Sequence, residues 1–225
     1  MPSLIPGVDV EKLARQTTVR IKTAKSSGSG AIVKRQGQAY TVLTSWHVVA
    51  FDRGEIAIVT CDGLLHQALG KFRRLGDTDL AIAQFRSTNQ YKIASMSTEL
   101  AAVGEPVLVA GFPAGAGFPA ASKVEALAVT RGFVSLLLPK SLPQAYSLGY
   151  TNEVKIGMSG GPVFNPKGLL VGINGRGKYR DPGFGVYTFE DGSEPTPELL
   201  EKMVKSSWGI PINIYLQFVL SHLGG

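Results

Sequence analysis

Cysteine is almost missing from this chain: Cys61 is the only one in 225 residues, so no intrachain disulfide can form and packing alone must hold the fold. Its setting, Thr60-Cys61-Asp62-Gly63, reads as a strand end entering a turn rather than as the site of a nucleophile. Histidine is scarce as well, with three residues, and one cysteine beside three scattered histidines gives zinc almost no ligand set. No metal site and no cofactor is expected. No uninterrupted apolar run reaches the roughly 18 residues that a membrane span requires, so no membrane partner is expected. Met1 to Val10 lack the basic segment and apolar stretch of a secretory leader. That places the expected protein in the cytoplasm, or in the periplasm or outside the cell if a leader has been removed. Charge is modest at 18% against 44% hydrophobic residues, which excludes a disordered chain. The formal net charge of +6 is dispersed, with small clusters at Lys71, Arg73, Arg74 and at Arg176, Lys178, Arg180 but no long basic stripe. A solvated face is the reading that follows, and nucleic acid is not an expected partner.

What the chain does have is a dense run, Gly157-Met158-Ser159-Gly160-Gly161-Pro162. Three glycines around one serine cost backbone entropy and packing surface, so such a turn needs a further reason. Glycine permits backbone conformations that aim successive N–H groups at one point, and Ser159 carries a hydroxyl beside that point. A nucleophile next to an anion-stabilising nest is what acyl transfer requires. The plain alternative is a small-residue turn before a strand at Val163 and Phe164. A serine hydroxyl needs a base, usually a histidine oriented by a carboxylate. His47 lies where the apolar run Tyr40 to Leu43 reaches a small-residue bend, and Asp79 opens the apolar run Leu80 to Ala83. The chain order His, Asp, Ser is that of one triad architecture and not of the subtilisin or α/β-hydrolase ones.

Together with Ser27-Gly28-Ser29-Gly30-Ala31, the segments Thr44 to Val48, Asp79 to Ile82 and Gly157 to Pro162 resemble the chymotrypsin-like (trypsin superfamily) serine proteases, specifically their bacterial, disulfide-free HtrA-like branch. The resemblance runs from about Thr18 to about Ile212 and covers the peptidase portion without a PDZ-like domain. It implies an all-β fold of two six-stranded antiparallel β-barrels with short N-terminal and C-terminal helices, and a serine endopeptidase acting on protein or peptide substrates. It also implies roles. His47, Asp79 and Ser159 would be the catalytic residues, and the N–H groups of Gly157 and Ser159 the oxyanion hole. Glu153 would lie near the base of the primary pocket, with Ile173, Asn174 and Gly175 as its facing wall. A buried Glu153 would favour Lys or Arg before the cut, whereas Arg176 could neutralise it or select acidic residues. Asp77 is the rival carboxylate, set aside because the apolar run begins directly after Asp79. Met158 stands where digestive relatives carry the aspartate that a new N-terminus neutralises, so competence without N-terminal cleavage is expected. The alternative reading is a protease-fold module that binds peptides without cutting them.

Taken in order, Asp9 to Gln16 predicts a short amphipathic helix with Asp9 as N-cap, closing one end of the first barrel. Alternation then predicts strands around Val19, Ala31 to Val33, Tyr40 to Leu43, Glu55 to Thr60, Gln67 to Arg74 and Leu80 to Phe85. A joint is expected between Ser87 and Glu105. Further strands follow at Val107 to Ala110, Lys123 to Val129, Gly132 to Leu138, Ala145 to Tyr150, Val163 to Phe164, Leu169 to Asn174 and Gly185 to Thr188. Thr196-Pro197-Glu198 announces a helix to about Lys205, and Asn213 to Leu223 reads as a last helix. One peptidase domain spans 1–225, with a first barrel at about 18–90, a second at about 105–190 and a helical segment at about 196–223.

Overall fold

The computed structural model of the chain describes residues 8–24, 26–50, 55–114, 126–178 and 186–223. Asp9 caps the first helix, α1 (Val10–Thr17), its carboxylate accepting the Lys12 N–H at 2.9 Å. The chain then passes without a loop into β1 (Thr18–Lys22), followed by β2 (Ser27–Gln36), β3 (Ala39–Ser45), one helical turn α2 (Trp46–Val49), β4 (Ala57–Val59), β5 (Leu65–Gln67), β6 (Arg73–Arg74) and β7 (Leu80–Arg86). These strands form one antiparallel sheet in the order β5-β4-β1-β2-β3-β7-β6. The single strand expected over Gln67 to Arg74 is divided because Gly70, at φ +73°, turns the chain between β5 and β6. The sheet is therefore seven-stranded and curled rather than a closed six-stranded barrel. Its margins approach through the Leu69 N–H, which reaches the Gln84 carbonyl of β7 at 2.6 Å.

The second half closes fully. Strands β8 (Pro106–Gly111), β9 (Ala128–Leu142), β10 (Tyr146–Tyr150), β11 (Pro162–Phe164), β12 (Leu170–Arg176) and β13 (Ser207–Pro211) make a barrel in the order β10-β13-β12-β11-β8-β9. One long β9 replaces the two strands expected on either side of Arg131, although residues 123–125 of the first lie outside the described residues. No strand forms at 186–188, where the chain turns, and Gly185 is also outside the described residues. The sixth strand is β13, beyond the expected end of the barrel at 190. Helices α3 (Pro197–Val204, capped by Thr196) and α4 (Ile212–Leu223) flank it. No helix among the described residues is long and apolar enough to cross a membrane.

Pleating explains how the halves share a core. On β2, Ile32 faces a cluster with Val19, Ile21, Tyr40, Val42, Ile58 and Phe85, while its neighbours Ala31 and Val33 face the opposite way. There they join Leu43 and Leu80 from the first sheet with Leu108, Tyr146, Phe164, Ile173 and Trp208 from the barrel. Each Val, Leu, Ile or Phe side chain so removed from water contributes roughly 1.5–3 kcal/mol. Helix α1 belongs to this seam, not to the end of the first sheet: Ala14 is buried in the shared cluster, and Glu11 pairs with Arg131 of β9 at 2.6 Å.

Candidate active site

Where β3 ends, the Trp46 N–H bonds the Asp79 carbonyl at 3.0 Å and the His47 N–H bonds Asp79 Oδ1 at 2.7 Å. The first turn of α2 is thus built on Asp79, and this fixes the ring that follows. His47 Nδ1 lies 2.6 Å from Asp79 Oδ2, so a proton on Nδ1 donates to the carboxylate and leaves Nε2 as the acceptor. Asp79 is buried and His47 half-exposed, while Asp77 lies on the surface with its carbonyl accepting from Arg74. Burial alone would raise the Asp79 pKa. The hydrogen bonds and charge of His47, with a hydrogen bond from Tyr146, outweigh burial and hold the carboxyl below its ordinary value.

Ser159 reaches the same cleft from the other half. The glycines around it are dictated by close approach. A Cβ on Gly160, at φ +86°, would fall 2.1 Å from the Ser29 carbonyl oxygen, and one on Gly161 would fall 2.0 Å from that of Ala110. Lys155 to Met158 form a turn closed by the Met158 N–H on the Lys155 carbonyl at 3.0 Å, with Gly157 third at φ +91°, the sign of a type II turn. Met158 is fully buried among Val107, Val109, Tyr150 and Val163, and its sulfur accepts the Lys155 N–H at 3.4 Å. An apolar anchor therefore holds the turn where a carboxylate would need a partner. No described residue accepts the N–H of Gly157 or of Ser159.

A cleft of about 480 Å³ holds His47, Val48, Val154, Lys155, Ile156, Gly157, Ser159, Asn174, Gly175, Gly177 and Lys178 in its lining. Within it the Ser159 hydroxyl donates to the Gly175 carbonyl at 3.1 Å rather than to His47. His47 and Ser159 share the lining of this one cleft, and catalytic hydrogen bonds of unliganded sites commonly tighten only when substrate binds. The chemistry the arrangement can do is proton transfer from a hydroxyl to an oriented imidazole, beside two backbone N–H groups that no described residue accepts. Among the described residues no cluster of three or more His, Cys, Asp or Glu could hold a metal ion.

The sequence profile of the trypsin-like peptidase domain matches residues 28–173, a span that contains His47, Asp79 and Ser159. The chain belongs to the trypsin-like peptidase family. Curated relatives of this trypsin-like peptidase include a probable periplasmic serine endoprotease, DegP-like, of Pseudomonas putida, 36% identical over 175 residues that cover 76% of this chain and 33% of the relative. A serine protease Do-like HtrA of Bacillus subtilis is 32% identical over 166 residues, 68% of this chain and 34% of its own. The chain thus spans about a third of the length of these relatives. Among solved structures, the serine endoprotease from Yersinia pestis superposes with a TM-score of 0.63 at 21% identity, over 96% of this chain and 65% of that one. An inactive mutant form of Rv3671c from M. tuberculosis gives 0.67 at 16% identity, over 98% and 93%. These neighbours share the fold. The expectation of a cytoplasmic chain is overturned by the DegP-like relatives, which are described as probable periplasmic endoproteases, the setting held as its alternative.

Several expected pocket residues stand elsewhere in the trypsin-like fold. Glu153 does not line the cleft: its side chain is 70% exposed and pairs with Lys178, whose stem is buried. Arg176 meets neither Glu153 nor the cleft, because its guanidinium lies 3.9 Å over the Tyr146 ring and bonds Gln144 Oε1 at 3.2 Å. The Ile173 side chain is core, so the wall is set by Asn174 and Gly175 further along β12 and by Gly177 just beyond it. Asn174 has a structural part: its Nδ2 donates to the Met158 carbonyl at 2.9 Å and its Oδ1 accepts the Tyr150 hydroxyl at 2.6 Å. Sequence reasoning missed the group beneath Asp79. The Tyr146 hydroxyl donates to Asp79 Oδ2, and the Asp79 N–H bonds the Gln144 carbonyl at 3.1 Å. Gln144 and Ala145, at φ 70° and 71°, are the only positive-φ non-glycine residues among those described, at a cost of order 1–3 kcal/mol each. Gly175 was the available signal, since a Cβ there would fall 2.1 Å from the Tyr146 hydroxyl.

Proposed function

We propose that the chain is a serine endopeptidase working through His47, Asp79 and Ser159. Ser159 Oγ attacks the scissile carbonyl while His47 Nε2 takes its proton. Asp79 holds the imidazole in the Nδ1–H tautomer and stabilises the imidazolium. The tetrahedral oxyanion is received by the N–H groups of Gly157 and Ser159. Collapse of that intermediate, with the proton passed from His47 to the leaving amine, gives an acyl-enzyme that water then hydrolyses by the same groups. The observation that carries this reading is that His47, held by Asp79 at 2.6 Å, shares one cleft with a serine beside two backbone N–H groups that no described residue accepts.

The substrate in this reading is an extended peptide lying along the open end of β12 as an added strand. With Glu153 drawn to Lys178, no acid among the described residues that line the cleft is available to select Lys or Arg before the cut. The periplasmic relatives favour a periplasmic setting for this activity. A fluorophosphonate probe tests the proposal. Labelling of the folded protein that disappears in Ser159→Ala and in His47→Ala is expected. The hydrogen bond from Ser159 to Gly175 favours a second reading, a peptide-capturing module. A folded protein that takes no label and cuts nothing in a peptide library would decide for it.

A further inference from the structure

The corner between β9 and β10 is expensive to build and is aimed at one carboxylate. Two consecutive residues without glycine's freedom, Gln144 and Ala145, hold positive φ, and the chain they bend delivers one acceptor and one donor to Asp79. The Gln144 carbonyl takes the Asp79 N–H at 3.1 Å, and the next side chain but one, Tyr146, gives its hydroxyl to Oδ2. That oxygen is the same one that receives His47 Nδ1–H. Tyr146 is fully buried, and Arg176 closes the corner from β12 by covering the Tyr146 ring and bonding Gln144 Oε1 and the Pro143 carbonyl. Gly175, immediately before Arg176, leaves the space that the hydroxyl fills. A purely structural corner would not require a strained backbone and a buried phenol, both braced by a guanidinium, to converge on the carboxylate that orients the imidazole.

We infer that Tyr146 is a positioning residue of the triad, its hydroxyl fixing Asp79 against His47, and that Gln144 and Arg176 hold it there. This rests on the peptidase reading above. Burial and the Asp79 charge push the phenol well above its ordinary pKa, with Arg176 opposing, so it remains a donor through the neutral range. The titratable and charged groups that face this cluster are His47 from α2, Tyr146 and Tyr150 from β10 and Arg176 from β12.

The test compares Tyr146→Phe and Gln144→Gly with the unaltered enzyme on a peptide substrate, with kcat counted per site by fluorophosphonate titration. Loss of one hydrogen bond to a charged group corresponds to a factor of about 10–100, expected in kcat with little change in KM. Without the hydroxyl the carboxylate becomes more basic and binds the imidazolium more tightly, so the acidic limb of the kcat/KM profile moves to higher pH. Gln144→Gly relieves the backbone, so its melting temperature should not fall, yet kcat should, because the corner is no longer held. A merely structural role predicts the opposite pattern, intact kcat per site and an unmoved pH limb in both variants, and that result overturns the inference. If Tyr146→Phe does not fold, Gln144→Gly decides alone. An unaltered protein that neither labels nor cuts removes the peptidase reading and this inference together, whereas an active one with unaffected variants removes only the inference.

Discussion

At the scale of the residue, the site is governed by one carboxylate with every oxygen assigned. Asp79 Oδ1 takes the His47 backbone N–H at 2.7 Å, and Oδ2 takes the ring Nδ1 at 2.6 Å and the Tyr146 hydroxyl. An amide at this position keeps the volume but offers an NH₂ where an acceptor is needed. Asp79→Asn therefore favours the tautomer with the proton on Nε2, which faces Ser159 with a donor instead of an acceptor. A kcat lower by roughly 10⁴ is expected for that variant, with KM little affected and the fold intact. Steady-state kinetics beside a thermal melt will check it, and a variant retaining more than a tenth of the activity would exclude Asp79 from the role. Because hydrogen bonds and the His47 charge hold the Asp79 carboxyl below its ordinary value, its stabilising contribution is present above about pH 4 and is lost as the pH falls.

At the scale of the element, the β4–β5 hairpin shows how a short, exposed strand pair is secured. Asp62 in its turn accepts from Thr60 Oγ1 at 2.6 Å, the Leu64 N–H at 3.2 Å, the Tyr91 hydroxyl at 3.0 Å and Asn89 Nδ2 at 3.2 Å. Slight burial opposes ionisation, but these donors prevail and lower the pKa to about 2. A depressed carboxyl stabilises the fold above its unfolded pKa and ceases to do so as the pH drops through the folded one. Asp62→Asn should cost about 1 kcal/mol at neutral pH, after allowance for the exposure of the group, and the gap should close between about pH 4 and 2. Chemical denaturation of both proteins at several pH values measures it, and a constant gap across that window would contradict the account. The same elements show what could be read in advance. A strand with one wet face, such as the end of β7, where buried Ala83 and Phe85 alternate with exposed Gln84 and Arg86, announces itself by composition, and Asp9 and Thr196 mark their helices by capping chemistry that is local in sequence. By contrast, β13 is buried along its whole length, contains Gly209 and Pro211, and runs directly into α4, so neither alternation nor punctuation separates it. The triad candidates and the glycine turn were legible because each carries its reason within a few residues. Tyr146 was not, because its partner Asp79 is 67 positions away and only the closed barrel brings them together. Glu153 was misplaced for the same reason, its fate being set by Lys178 on another segment.

At the scale of the whole molecule, the cleft exists only where the two halves touch, and Ser29 of the first sheet is the tie nearest the glycine turn. Its N–H bonds the Ser159 carbonyl at 2.8 Å, its carbonyl accepts the Thr44 hydroxyl at 2.6 Å, and its own Oγ donates to the Gly157 carbonyl while accepting the Phe112 N–H, both at 2.8 Å. The hydroxyl thus fixes the peptide that joins Gly157 to Met158, which lies between the two N–H groups assigned to the oxyanion. Ser29→Ala strands the buried Gly157 carbonyl, at about 1–3 kcal/mol, and the part-buried Phe112 N–H, at less. It also frees the Gly157 peptide to turn, so the loss should extend to transition-state binding, lowering kcat by up to about 100-fold while Ser159 and His47 remain untouched. Both effects are expected together, the first by denaturant midpoint and the second by kcat per titrated site. A variant that melts early yet turns over normally would show that the first sheet braces the second without setting its catalytic turn, and the oxyanion geometry would then have to be credited to Met158 and its buried anchor alone.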